Sequence, residues 1–194
     1  MVISKGKAWG HPGVRPEHLP SAADDAEAAR LVASGTQRLS LSGGDLLTTL
    51  GGGRPDAAEF HWFPMDLGWV TLDGERRLPF VANVVARGPM WRGEVAAVMN
   101  AAWHRQLYLG PRAHPNDGLL DVTVGTLPAQ QFVLARSRAK TGVHVPHPQL
   151  VERRVALFEH HFDHAVSVWV DGVRHRNVRQ LLATIESDRF EVGL

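Results

Sequence analysis

Cysteine is absent from this chain of 194 residues, which excludes disulfides, thiolate nucleophiles and zinc sites with Cys ligands. Long apolar runs are missing as well. No window approaches the roughly 18 apolar residues that a membrane-spanning helix needs. No apolar stretch follows the two lysines near the N-terminus, so a signal peptide is not predicted either. We therefore expect a soluble, cytoplasmic protein without a membrane span.

A surplus of charge of one sign is also lacking. Lys+Arg 21 against Asp+Glu 20 gives a formal net charge of +1. The chain therefore lacks the surplus of basic residues that is typical of nucleic-acid-binding proteins. The chain has an ordinary globular composition, with 44% hydrophobic and 21% charged residues, and this argues against disorder. Its length suits one well-buried core, or one core with a small appendage.

Residues 1–55 have a helical pattern interrupted by glycines, unlike the rest of the chain. Ser21 is placed to cap a helix, and the Ala-rich run that follows stops at Gly35. Residues 38–42 alternate like a short strand, and residues 46–50 predict one short helix between glycines. We expect a small α/β unit in this region.

Residues 60–194 are dominated instead by turn signals and by apolar residues at every second position. Asp73-Gly74 predicts a hairpin between strands 67–72 and 78–85, because this dipeptide tolerates the positive φ of a tight turn. The best helix candidate follows Pro128. Further strands are predicted over residues 94–100, 119–124, 151–159, 165–170, 181–186 and 190–194. About seven or eight short strands at this spacing predict a β-sandwich of antiparallel strands with one or two helices.

One motif stands out in the second region. Residues 98–124 run from a strand through an Asn and a loop to Pro-Asn-Asp-Gly-Leu-Leu at 115–120, and then into an apolar strand. Matching pieces follow in order: Gly-Val-His at 142–144, Pro-His-Pro at 146–148 and Val-Asp-Gly at 170–172. Together these motifs resemble the β-sandwich domain of bacterial diacylglycerol kinases and related lipid kinases, which share a fold with NAD kinases.

This resemblance implies a domain organisation. Residues 60–194 correspond to the lipid-kinase-like β-sandwich, which makes the predicted fold mainly β. Residues 1–55 then correspond to a shortened α/β remnant of the nucleotide-binding domain that precedes the sandwich in full-length members.

The resemblance also implies a magnesium site. In the family, one Asp carboxylate and two main-chain carbonyls hold a structural Mg²⁺, and the matching positions are the carboxylate of Asp117 and the carbonyls of His114 and Leu119. Oxygen ligands, with the remaining positions filled by water, suit this hard cation. The alternative is that Asn116, Asp117 and Gly118 form a tight turn and nothing more, because these residue types favour turns in any case.

Two departures from the family bear on catalysis. Gly43-Gly44-Asp45 stands where the family has Gly-Gly-Asp-Gly-Thr, whose backbone N–H groups cradle the phosphates of ATP, and Leu46 and Leu47 replace the last two residues. Glycine permits a close phosphate approach that leucine does not. Gly43, Gly44 and Asp45 are therefore the candidates for contact with ATP or its metal, and a structural turn into a helix is the alternative.

The second departure lies late in the chain. The family's Asp-Gly-Glu supplies the proposed general base, and here the sequence is Asp171-Gly172-Val173. Valine cannot accept a proton from a lipid hydroxyl, and base catalysis is commonly worth about 10² to 10⁴-fold. Asp171 is then the candidate catalytic carboxylate, and a turn at the end of a strand is its structural alternative.

The 11 histidines raise the separate hypothesis of a metal hydrolase. Residues 160–164 contain three histidines and an aspartate, and His144 lies near His147. A zinc site needs three or four ligands that converge on one point, and sequence spacing alone seldom makes one. We expect a structural role for both groups.

Two main function hypotheses follow. The first is a degenerate lipid-kinase-like protein that binds a small-molecule or lipid ligand, or a partner, without transferring phosphate. The second is a compact ATP-dependent kinase that acts on a lipid of the diacylglycerol type or another hydroxyl substrate, with a site completed by a second subunit of a homo-oligomer. Leu46 and Val173 favour the first.

Overall fold

The computed structural model of the chain describes residues 9–52, 60–89, 93–127 and 149–194. Within these residues the protein consists of strands and two short helices. In chain order they are β1 (His11–Gly13), β2 (Ser21–Ala22), α1 (Asp25–Ala33), β3 (Arg38–Leu41), α2 (Asp45–Thr49), β4 (Phe60–Leu72), β5 (Arg76–Phe80), β6 (Asn83–Arg87), β7 (Gly93–Met99), β8 (Leu120–Leu127), β9 (Leu150–Val155), β10 (Leu157–Val170) and β11 (Val173–Gly193).

The strands form a sheet in which most neighbours are antiparallel. Its main path runs β1-β4-β11-β10-β6-β7-β8-β9, and β5 pairs with β4. The exceptions are β3, which lies parallel to β11, and β2, which lies parallel to β3. The mainly β, antiparallel fold predicted from the sequence is confirmed. The predicted helix after Pro128 lies outside the described residues.

The sheet curves around its main core. One cluster of buried apolar side chains is contributed by β4, β5, β6, β7, β8, β10 and β11, so strands from both ends of the path enclose the same interior. Val168 and Val170 belong to this cluster, and Val166 packs against it. The spacing of two between these valines therefore marks the buried face of β10, as predicted.

A second core cluster joins the N-terminal elements to the sheet. It contains side chains from α1, β3 and α2 together with side chains from β4 and β11: Ala28, Ala29, Val32, Leu39, Leu46, Met65, Leu67, Phe190 and Val192. The N-terminal elements thus share a core with two central strands. The division of the chain near residue 55 stays a prediction.

The predicted start of α1 at Ser21 is wrong. Ser21 lies in β2, and Asp24 caps the helix, because its side chain accepts a hydrogen bond of 2.8 Å from the N–H of Glu27. The Glu27 carboxylate reaches back to the N–H of Ala23 at 2.7 Å. This reciprocal arrangement resembles a capping box and fixes the start of the helix.

Three strand predictions also differ from the structure. The strand predicted over residues 151–159 spans the end of β9 and the start of β10, and residues 165–170 belong to the same β10. Residues 78–85 form the end of β5 and the start of β6. The strand breaks at residues 81–82, because their backbone N–H groups donate to the side chain of Asp171. Residues 181–186 and 190–194 were predicted as two strands, but both lie almost wholly within β11. An irregularity in the pairing of β11 with β4 lies between Glu186 and Phe190.

Candidate functional site

The glycine turn before α2 is closely packed against the chain itself. Gly44 has φ +105° and ψ 172°, a conformation that is essentially restricted to glycine. A Cβ atom at Gly44 would lie 2.3 Å from Asp25 Oδ1, and one at Gly43 would lie 2.6 Å from the carbonyl oxygen of Ala23. Both glycines are therefore explained by the close approach of other parts of this chain.

Asp25, at the start of α1, occupies the first backbone donors of α2. Its Oδ2 accepts a hydrogen bond from the N–H of Asp45 at 2.6 Å, and its Oδ1 accepts one from the N–H of Leu46 at 3.1 Å. Burial raises the pKa of Asp25 to about 6, while the two N–H donors act in the opposite direction. The donors that follow the glycine turn thus already hold an internal carboxylate.

Asp45 is the centre of a polar cluster. Its Oδ2 accepts a hydrogen bond from Asn83 Nδ2 at 3.0 Å, and its Oδ1 accepts one from the N–H of Arg105 at 2.6 Å. The ring of His104 lies 2.9 Å from Asn83 Oδ1 through Nδ1. Burial lowers the pKa of His104 to about 4, although the charge of Asp45 acts to raise it. Asp45 and His104 are thus tied together through Asn83.

Asp171 is enclosed by backbone donors. Its carboxylate accepts hydrogen bonds from the N–H groups of Val81 (2.7 Å), Ala82 (3.0 Å) and Asn83 (2.8 Å). Burial raises the pKa of Asp171 to about 8, and the nearby charge of Asp25 acts in the same direction. The carboxylate holds the connection between β5 and β6 in place.

A cavity of about 370 Å³ lies between α1 and the turn from β10 to β11. Its apolar lining includes Leu78, Val170 and Val173, and its polar lining includes Arg30 and His175. Val173 is half exposed there, and Asp171 also contributes to the wall. The position that matches the family's glutamate therefore faces a cavity, but it presents an apolar side chain.

The Asp117 turn is neutralised within the chain. Asp117 Oδ1 accepts a hydrogen bond from the N–H of Leu119 at 3.0 Å, and Oδ2 forms an ion pair with the guanidinium of Arg154. The ring nitrogen Nδ1 of His114 accepts a hydrogen bond of 3.2 Å from the N–H of Asn116. Both carboxylate oxygens thus already have a partner within the chain, and the magnesium site inferred for Asp117, His114 and Leu119 stays a prediction.

Asp66 anchors the same turn from β4. Its Oδ2 accepts a hydrogen bond from the N–H of Gly118 at 2.7 Å, and its Oδ1 accepts one from the N–H of Asp188 at 3.0 Å. Asn116 Nδ2 donates to Asp188 Oδ1 at 2.8 Å. Burial raises the pKa of Asp66 to about 6. These contacts give the turn a structural framework that does not involve Asp117.

Two of the three histidines of residues 160–164, His160 and His161, pair with nearby carboxylates. His160 Nε2 lies 2.8 Å from Glu94, and His161 Nε2 lies 3.2 Å from Glu159. Across the described parts of the chain, no group of three His, Asp or Glu residues is placed to hold a metal ion. His144 and His147 lie outside the described residues.

No described helix is long and apolar enough to cross a membrane.

The structure therefore separates the predicted site residues into two places. Gly44 and Asp45 are linked to Asp171 through Asn83, which bonds to Asp45 by its side chain and to Asp171 by its backbone. Asp117 lies in a different turn, anchored on Asp66. Sequence reasoning missed Asp25 as a partner of the glycine turn, because its position in a first helical turn already explained a carboxylate there.

The fold is that of diacylglycerol kinases. Two structures of a "putative diacylglycerol kinase" from Bacillus anthracis str. Sterne are similar to this chain. One has a TM-score of 0.65 and 11% identity, over 90% of this chain and 77% of that chain. The other has a TM-score of 0.58 and 12% identity, over 80% and 69%.

A third structure, of a diacylglycerol kinase from the same organism, has a TM-score of 0.54 and 14% identity, over 79% of this chain and 66% of that chain. At these identities the likeness establishes the fold. No protein-family model matches the sequence, and no curated protein does. The lipid-kinase-like fold inferred from the motif at residues 115–120 is confirmed.

Proposed function

We propose that this chain is a lipid-kinase-like protein that binds a small-molecule or lipid ligand without transferring phosphate. The observation that carries the proposal is the position of Asp25, whose carboxylate accepts hydrogen bonds from the backbone N–H groups of Asp45 and Leu46. Those N–H groups follow the glycine turn that matches the family's phosphate-binding residues.

The negative charge of Asp25 opposes the binding of ATP at this turn. Backbone N–H groups at the start of a helix bind phosphate because they present unpaired donors and a partial positive charge. Here the donors are paired with Asp25, and a carboxyl with a pKa of about 6 is mostly ionised at neutral pH. A phosphate at this turn would meet a negative charge within a few ångströms, in a partly desolvated place where repulsion is strong.

Activation of the substrate hydroxyl that would accept the phosphoryl group is also poorly supported by these residues. Phosphoryl transfer needs a placed metal, a phosphate cradle and an oriented nucleophile. Val173 has no proton-accepting group, and the oxygens of Asp171 already accept bonds from three N–H groups. About four lone-pair positions are available on a carboxylate, so at most about one is left here for a substrate hydroxyl.

The cavity between α1 and the β10–β11 turn is the proposed ligand site. Its volume of about 370 Å³ falls within the usual range of roughly 300–1,000 Å³ for small-molecule sites. Apolar walls with a few polar groups suit an amphipathic molecule, and the polar groups here are Asp24, Arg30, Asp171 and His175. The cytoplasmic location and self-association expected from the sequence stay proposals.

One observation favours the alternative, a compact ATP-dependent lipid kinase. Asp171 lines the cavity, and a pKa raised to about 8 suits a proton acceptor. That function would require ATP to find donors other than those of the glycine turn, for example on a second subunit.

The decisive experiment is transfer of labelled γ-phosphate from ATP to diacylglycerol and to a sphingosine-type lipid, with Mg²⁺ present. We expect no transfer above background. Turnover in the usual enzyme range of about 1 to 10³ per second would overturn the proposal. Asp171→Asn, checked for folding by its melting temperature, would then test whether this carboxyl is the base.

Ligand binding is tested separately by a thermal-shift screen with ATP, NAD and short-chain lipids, because a ligand that binds the native state raises the melting temperature. Val173→Trp should fill the cavity and abolish the shift caused by a lipid. Val151→Trp is the matched control, since Val151 is a similarly exposed strand valine outside the cavity. Equal shifts in both variants would place the ligand elsewhere.

A further inference from the structure

A second cavity, of about 410 Å³, lies where β10 pairs with β11, beside the end of β6. Ser167 of β10 and Arg174, Arg176 and Asn177 of β11 line it, and Gly88 lies at its edge. Among the described residues that line it, none is acidic. In a chain with a net charge of +1, this is a local concentration of positive charge.

The register of three neighbouring strands explains why arginines gather here. Ser167 pairs with Arg87 of β6, and Trp169 pairs with Arg174 of β11. Ser167 and Trp169 are two residues apart, so their side chains share one face of the sheet. The guanidinium carbons of Arg87 and Arg174 lie 3.9 and 5.2 Å from the Trp169 ring centroid. The Trp169 ring thus contacts one guanidinium from each of the two flanking strands.

Arg174 is held in a defined orientation at the cavity wall. Its Nε and Nη2 atoms donate to Ser167 Oγ at 3.1 and 2.8 Å. Its remaining N–H groups are not used in these bonds. An oriented guanidinium binds an anion with less loss of side-chain entropy than a freely rotating one does.

An irregularity in the pairing of β11 with β10 places Arg176 next to Arg174. The pairing with β10 steps from Val168–His175 to Val166–Val178, so β11 has one more residue than β10 in this interval. Asn177 has φ 59°, which is uncommon for a residue other than glycine. Bulges of this kind redirect side chains and are frequent beside functional sites. Within the described residues, no carboxylate forms an ion pair with Arg176.

We propose that this cavity binds the phosphate group of a phosphomonoester, held between Arg174 and Arg176. Two guanidiniums match the charge of about −1.5 to −2 that a phosphomonoester carries at neutral pH. Each can donate two parallel N–H bonds to phosphate oxygens. The amide of Asn177 and the hydroxyl of Ser167 supply further polar partners. The proposal is independent of the ligand cavity beside α1, because no described residue lines both cavities.

The test is an NMR titration of the ¹⁵N-labelled full chain with glycerol 3-phosphate. A second arm measures co-sedimentation with phosphatidylcholine vesicles that contain phosphatidic acid. The first arm supplies the phosphomonoester free in solution, and the second supplies it on a lipid. We expect saturable shifts at residues 174–177, or vesicle binding that depends on phosphatidic acid.

Arg176→Gln should weaken the observed binding by about tenfold or more, because it removes a charged hydrogen-bonding partner. Arg153→Gln makes the same change of charge at another exposed strand arginine, outside the cavity, and should leave binding unchanged. No binding in either arm, or an equal loss in Arg176→Gln and Arg153→Gln, would overturn the proposal.

Discussion

The N–H of Asp45 donates a hydrogen bond of 2.6 Å to Asp25 Oδ2, across 20 residues of sequence. Through this bond and the one from Leu46, the first residue of α1 caps the start of α2. The conformation of Gly44 makes the approach feasible, because no side chain stands between the turn and the carboxylate. The contact therefore explains the glycine by internal packing, where the sequence motif suggested a nucleotide.

Gly44→Ala should destabilise the protein strongly. A Cβ atom at this position would overlap Asp25 Oδ1 and occupy a backbone conformation that costs about 1–3 kcal/mol for other residues. Gly51→Ala is the control, because Gly51 also has a positive φ, +92°, but a Cβ atom there would meet no atom of the described residues within 4 Å. Urea denaturation should give Gly44→Ala a loss larger by at least about 1.5 kcal/mol, through weakened bonds to a charged acceptor. Equal losses would show that strain alone explains the glycine.

Some features of the fold could be predicted because their causes are local. The hairpin at Asp73-Gly74 follows from two residues that tolerate positive φ, and the structure has φ 52° and 70° there. The buried face of β10 follows from valines at every second position. Both signals lie within a few residues of sequence.

Other features could not be predicted because their causes are distant in sequence. The break between β5 and β6 depends on Asp171, 90 residues after Val81. The ion pair between Asp117 and Arg154 spans 37 residues and arises from the pairing of β8 with β9. No local pattern contains both partners, so a strand was predicted through the break, and the contact of Arg154 with Asp117 was not foreseen.

Arg154 supplies positive charge to the Asp117 turn, so Mg²⁺ should not stabilise the natural chain. We expect millimolar Mg²⁺ to leave its melting temperature unchanged. Arg154→Ala frees one carboxylate oxygen and should make the melting temperature rise with Mg²⁺, an effect that an added Asp117→Ala substitution removes. Arg153→Ala, at the neighbouring exposed position, should behave like the natural chain.

The opposite outcome is equally clear. A rise in the natural chain that Asp117→Ala abolishes would support the magnesium site inferred from the family resemblance. It would mean that Mg²⁺ displaces Arg154 from the carboxylate, and that the ion pair does not exclude the metal.

His104 should make the protein sensitive to acid. Its pKa is about 4 in the folded protein, because burial disfavours the charged ring, against an ordinary value of 6.5. A depressed histidine pKa means that the unfolded chain binds more protons, so stability falls as the pH falls from about 6.5 to 4. The loss is on the order of 2–3 kcal/mol for a shift of this size. Asp45, Arg105 and Arg87 are the charged groups that act on the ring.

The measurement is the free energy of unfolding of the natural chain and of His104→Gln, by urea denaturation at several pH values from 7.5 to 4.5. The free energy of unfolding of the natural chain should fall relative to that of His104→Gln as the pH falls. Other groups with altered pKa values, such as Asp66, are present in both proteins and cancel in the difference. His161→Gln, at a side chain that is 69% exposed, should show no such trend. Parallel curves for the two proteins would mean that the pKa of His104 is the same in the folded and the unfolded chain.

Val173→Glu should not create a kinase, although it restores the carboxylate that the family has at this position. Val173 is half exposed, so the substitution should fold, and the new carboxylate would face the cavity beside α1. Transfer also requires bound ATP, and Asp25 still occupies the donors of Asp45 and Leu46. We expect no γ-phosphate transfer to diacylglycerol and no retention of labelled ATP by Val173→Glu. Retention without transfer would show that Asp25 does not exclude ATP, and transfer above background would show that the missing base was the only defect.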